Sequence, residues 1–138
     1  MGKVKREIVA LGRTAITLAL GLAIAAGPAL AADLAALVVG KNPDKILKIA
    51  AIATPIQAMM SEVEFADVKD LAANGLQSKF EEVNGFVKGS ACEPHNCGDH
   101  DVVWVFDHAG HVWTLLKADG RDAVYFGNPP KEVEDLLY

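Results

Sequence analysis

Between Ala91 and His100 the chain reads ACEPHNCGDH, a stretch that holds both of its cysteines and two of its four histidines. Three chemistries use such a set. Cys92, His95, Cys97 and His100 supply two sulfurs and two imidazoles, the number and type of donors in a tetrahedral zinc centre. A cysteine beside a histidine is also how a thiolate nucleophile is activated. Third, a bond between Cys92 and Cys97 would close a small ring around Pro94 and His95 and present the imidazole on a rigid recognition loop. The zinc reading suffers from its spacing, because Cys-x-x-His-x-Cys-x-x-His crowds four ligands onto one short loop and strains tetrahedral closure. The nucleophile reading needs a free thiol and the rest of an enzyme. Yet the chain has no Gly-rich phosphate loop, no Gly-x-Ser-x-Gly, no His-Glu-x-x-His and no Cys-x-x-Cys. Neither an enzyme nor a cofactor is therefore expected. His108 and His111 offer a weaker surface pair at a turn.

The compartment bears on the cysteines. Lys3, Lys5, Arg6 and Arg13 form a basic head, and Thr14–Ala26 is an uncharged run of 13 residues rich in Leu, Ala and Ile. Gly27-Pro28 breaks the run, and Ala29 and Ala31 place small residues where a signal peptidase reads them. Residues 1–31 are read as a secretory signal peptide cleaved before Ala32, and a retained anchor is disfavoured because a spanning helix wants about 20 apolar residues. The expected destination is periplasmic or secreted. That environment is oxidising, so Cys92 and Cys97 are expected to pair. Residues 32–138 then form a single domain with one modest core. Losing Lys3, Lys5, Arg6 and Arg13 along with Glu7 takes the net charge from −5 to −8. An acidic domain of this kind repels nucleic acid and, once cleaved, anionic membranes, while a basic protein partner is drawn to it.

The elements that must carry the loop read as α+β: N-terminal helices, an antiparallel β-meander and a short C-terminal helix. Asn42-Pro43 marks a helix start, with Ile46, Ile49, Ala50 and Ala53 as one apolar stripe and Thr54-Pro55 as its end or kink. A second helix is expected from about Phe65 to Ala73, with Asn74-Gly75 as its stop. Strands begin near Lys79, and Asn84-Gly85 is a hairpin signal. Val102–Phe106 is apolar on both parities, as a strand covered on both faces would be. His111–Lys117 forms the next strand, Asp119-Gly120 turns into the last, and Asn128-Pro129 opens a closing helix with Val133, Leu136 and Leu137 on one face. Trp104, Trp113, Tyr125 and Phe126 are read as core or cross-strand pairs rather than a ligand platform.

The run SACEPHNCGD, followed by VVWVF, a Gly-containing turn and VWTLL, resembles the exported bacterial inhibitor of vertebrate lysozyme family, with its Cys-Lys-Pro-His-x-Cys loop between strands. YFGNPPKEVEDLL is similar to the strand-to-helix ending of its shorter members. The resemblance runs from about Lys79 to the C-terminus and is looser over the helical half. It implies that the loop enters the substrate cleft of a c-type lysozyme and that the histidine engages the two catalytic carboxylates. On that basis Cys92 and Cys97 staple the loop, Pro94 shapes it, His95 is the plug, Asn96 and Gly98 set its form, and Asp99 meets the basic rim of the target. Glu93 stands where better-known members carry lysine, so a negative charge flanks the plug and would face basic residues at the cleft rim. The resemblance assigns no oligomeric state. Two other readings stay open: restraint of the cell's own muramidases or lytic transglycosylases, and a periplasmic metal-binding protein using the Cys/His cluster.

Overall fold

The computed structural model describes residues 33–138, so the leader read over residues 1–31 and its cleavage point lie outside the described residues. Along the chain come α1 (Leu34–Val38), α2 (Pro43–Ile46), α3 (Ala50–Ala58), α4 (Glu62–Asn74), β1 (Leu76–Val83), β2 (Phe86–Cys92), β3 (Asp101–Phe106), β4 (Val112–Lys117), β5 (Val124–Phe126) and α5 (Lys131–Leu137). Strands pair in sequence order, each antiparallel to the next. The α+β reading holds. None of the described helices is long and apolar enough to cross a membrane.

Turn chemistry sets the meander. Asn84 and Gly85 both have positive φ (52° and 81°), the arrangement of a two-residue hairpin whose twist matches its strands. β3 lies at the centre of the sheet, and its two parities bury into different layers. Val102, Trp104 and Phe106 pack with Ile46, Ile52, Ile56, Val68 and Leu71 of the helical layer. Val103 and Val105 pack with Val133 and Leu137 of α5 on the opposite face. The doubly apolar VVWVF run is thus explained by a sheet covered on both sides. Within the larger core, the Phe80 ring meets Trp104 at 6.0 Å and Phe106 edge-on at 5.6 Å.

β1 is an edge strand. A register shift between Ser78 and Glu81 and the exposed charges of Lys79, Glu81 and Glu82 blunt it against pairing with another chain.

Several expectations need correction. The single helix after Asn42-Pro43 is two: α2 ends at Ile46, and Ile49, with extended backbone, is the N-cap of α3. Its buried stripe is Ile46, Ile52 and Ile56, whereas Ala50 is exposed. Pro55 lies inside α3 rather than ending it; the carbonyl that loses a partner belongs to Ala51, at the exposed surface where solvation is cheap. α4 begins three residues earlier than expected, because Ser61 and Glu64 form a reciprocal capping box (Ser61 N–H to Glu64 Oε2 2.7 Å, Glu64 N–H to Ser61 Oγ 3.2 Å). β1 starts at Leu76 rather than Lys79, and α5 at Lys131, after Pro130 as its N-cap. The reading of the four strand aromatics as core or cross-strand residues needs none: Trp104, Trp113 and Phe126 are buried, and Tyr125, exposed on the short edge strand β5, is the register partner of Leu115.

Candidate functional site: the loop between β2 and β3

Cys92 closes β2, Asp101 opens β3, and the two are register partners. The connection Glu93–His100 therefore leaves and re-enters the sheet at adjacent points. At its base the Glu93 N–H donates to the His100 carbonyl at 3.0 Å. The Asn96 N–H donates to the Glu93 carbonyl at 3.0 Å, making Glu93-Pro94-His95-Asn96 a β-turn. The Asn96 carbonyl in turn accepts from the N–H groups of Asp99 (3.2 Å) and His100 (3.0 Å). Cys92 and Cys97 are disulfide-bonded, with Cα atoms 5.0 Å apart. Both sulfurs are committed, so the Cys/His zinc set loses half its ligands and no thiol remains for a nucleophile.

At the tip, Pro94 and His95 are exposed. Proline presets φ at the first central position of the turn, and His95 occupies the second with φ +68°. That is the left-handed region, where a non-glycine residue pays about 1–2 kcal/mol. The surrounding contacts hold it there. Asn96 Nδ2 donates to Glu93 Oε2 (2.8 Å) and to Asp119 Oδ1 in the β4–β5 turn (2.6 Å). Behind the loop, His100 Nδ1 lies 3.2 Å from Glu93 Oε2, and its Nε2 lies 2.9 Å from Asp67 Oδ1 of α4.

The charges follow from these contacts. The Asn96 amide and then His100 hold the Glu93 carboxyl below its usual value of 4.5. For His100, partial burial opposes the charge most strongly, but hydrogen bonds to Asp67 and Glu93 together outweigh it and raise the imidazole above 6.5.

Glu93 and Asn96 thus turn inward as braces, whereas Pro94, His95, Gly98 (φ +134°) and Asp99 remain on the exposed outline. Sequence reasoning had grouped His100 only with metal ligands and did not find Asp67 or Asp119. Asp67 lies 33 residues from His100, and no local spacing connects them. Gly75, where α4 meets β1, shows how closely this corner is packed: a Cβ there would lie 2.5 Å from the Leu71 carbonyl oxygen and 2.6 Å from that of Cys92. The end of α4 is thereby pressed against the start of the loop.

Two clefts flank His100. One, of about 440 Å³, is lined by Val63, Asp67, His100, Ala118, Asp119 and Arg121. The other, of about 190 Å³, runs from Asp70 and Asn74 of α4 to Glu93 and Pro94. Among the described residues, Glu93, His100 and Asp119 bring donor atoms within 4.8 Å of one another. Each already has a hydrogen-bond partner, so a cation would have to displace the His100 proton and the Asn96 amide. His108 and His111 are each engaged with their own carboxylate, Asp33 (3.0 Å) and Asp107 (2.7 Å).

A family model described as inhibitor of vertebrate lysozyme matches residues 51–137. No curated protein and no solved structure matches the chain. The matched span takes in α3 from its second residue, α4, the whole sheet, the disulfide-closed loop and α5. This chain therefore belongs to the inhibitor of vertebrate lysozyme family.

Proposed function

We propose that the protein inhibits c-type lysozyme by inserting His95 into the active-site cleft. The observation that carries this reading is the state of His95: exposed, at the tip of a disulfide-closed turn, and held at φ +68° by its surroundings. Backbone strain concentrated on an exposed, chemically versatile side chain is typical of functional positions. A retaining glycosidase holds its acid and its nucleophile about 5 Å apart, and an imidazole between them hydrogen-bonds to both. Substrate and chemistry are then excluded together. The rigid ring leaves little entropy for binding to remove. Pro94, Gly98 and Asp99 form the rest of the contact outline, and Glu93 and Asn96 act through the shape they give the turn. The mature domain, at −8, is attracted to this strongly basic class of enzyme, and its place of action is the periplasm or the exterior after loss of residues 1–31.

The test is lysis of peptidoglycan by a c-type lysozyme with the oxidised protein, beside a sample reduced, alkylated and freed of reductant, and beside His95→Ala. Stoichiometric inhibition by the oxidised protein, weakened by reduction and by the substitution, is expected. Undiminished inhibition by His95→Ala would remove His95 from the role of plug. No inhibition at any ratio would move the target to a wall enzyme of the producing cell.

A further inference from the structure

His100 stands outside the disulfide ring, and the inhibitory reading gives it no task. Both of its ring nitrogens face carboxylate oxygens, Asp67 Oδ1 at 2.9 Å and Glu93 Oε2 at 3.2 Å. An ionised carboxylate can only accept a hydrogen bond. Both contacts are therefore made together only when both ring nitrogens carry protons, that is, by an imidazolium. A neutral ring donates once and turns a lone pair toward the other carboxylate.

We propose that His100, as an imidazolium clamped between Asp67 of α4 and Glu93 of the loop, is the positioning residue that aims the His95 tip at its target. The inference rests on the inhibitory reading of the loop. Glu93 is the common joint: the same Oε2 accepts from Asn96 Nδ2 at 2.8 Å, and the Glu93 carbonyl accepts the turn-forming bond of Asn96. One charge thus connects a helix of the scaffold to the turn that holds His95 at positive φ. Its side chain is only 17% exposed, so solvent weakens these contacts less than it would on an open surface. The other charged groups around it are Asp119 and Arg121 in the larger cleft and Asp70 in the smaller. With Asp67 and Glu93, carboxylates outnumber the single guanidinium, which favours the protonated ring. The consequence is a loop that is aimed while Glu93 is ionised and His100 is protonated, and that loosens as pH rises through the His100 midpoint.

The experiment compares the oxidised mature protein with His100→Gln, which is neutral at every pH and keeps a single donor nitrogen, and with Asp67→Asn. Three quantities are followed against pH: the His100 ring resonances, the hydrogen-exchange protection of the Glu93 and Asn96 amides, and affinity for a c-type lysozyme. Taking the wild-type to His100→Gln ratio cancels titrations of His95 and of the lysozyme itself. The expected ratio of affinities is about tenfold near pH 6 and falls toward unity as pH rises through the His100 midpoint, with amide protection following the same course. Asp67→Asn should lower the His100 midpoint and narrow the ratio. Equal protection and equal pH profiles for wild type and His100→Gln would overturn the proposal, as would a ring carrying only one proton at pH 6. If wild type binds no c-type lysozyme while protection behaves as expected, the target reading fails and the role of His100 in setting the loop stands.

Discussion

His95 combines two properties that substitution separates. Glycine accepts φ +68° without the penalty that histidine pays, although its unfolded chain is more flexible. His95→Gly is therefore expected to raise stability slightly, by about 0.5 kcal/mol in denaturant titration, while abolishing inhibition in the lysis assay. His95→Ala should lose inhibition without that gain. Glu93 invites the reverse substitution, since lysine is the residue expected there from the family resemblance. In this chain its carboxylate accepts from Asn96 and faces His100, so Glu93→Lys would set an ammonium against an imidazolium. A lower melting midpoint and weaker inhibition are expected, not a gain of potency. The pH dependence has two limits. Glu93, lowered from 4.5, contributes fully above that value, and its contribution is lost as pH falls through the folded-state midpoint. His100, raised from 6.5, contributes fully below that value and loses its contribution as pH rises through its folded-state midpoint. The loop's share of stability should thus be greatest between pH 4.5 and 6.5, as thermal melts across pH would show.

Among the elements, α4 carries the most consequence for the loop, because it supplies Asp67 and ends at Gly75. Ser61→Ala removes one half of its capping box and should cost about 1 kcal/mol in denaturant unfolding without changing inhibition per folded molecule. Gly75→Ala brings a methyl group onto two backbone carbonyl oxygens that have no side-chain freedom to move away. It should cost about 1–3 kcal/mol and, unlike Ser61→Ala, weaken inhibition by shifting Cys92 at the root of the loop. What could be read from sequence divides along the same line as local and distant causes. Asn84-Gly85 and VVWVF were legible because turn dihedrals and two-sided burial are written in adjacent residues. α1 and the break between α2 and α3 were not, since helices of five and four residues exist through packing on the sheet rather than through their own propensity. Cys92, Pro94, His95 and Cys97 could be found within six residues. The His100–Asp67 and Asn96–Asp119 contacts join segments 33 and 23 residues apart, and no periodicity announces them.

For the molecule as a whole, the charge of −8 that the proposed cleavage after Ala31 would leave is expected to act mainly on encounter. Association with a basic lysozyme should slow by roughly an order of magnitude between about 20 mM and 200 mM salt, while dissociation changes little, a contrast that stopped-flow and surface-binding kinetics would resolve. On the proposed mechanism dissociation depends instead on how firmly the turn is held, and here the placement of the braces matters. The disulfide encloses only Cys92–Cys97, whereas His100, Asp67 and Asp119 all lie beyond it. A synthetic cyclic peptide of these six residues would keep the covalent closure but lose the struts, and its histidine would relax toward negative φ. Such a miniature should be a poor drug lead, because the inhibitory shape is a property of the folded domain rather than of the ring excised from it.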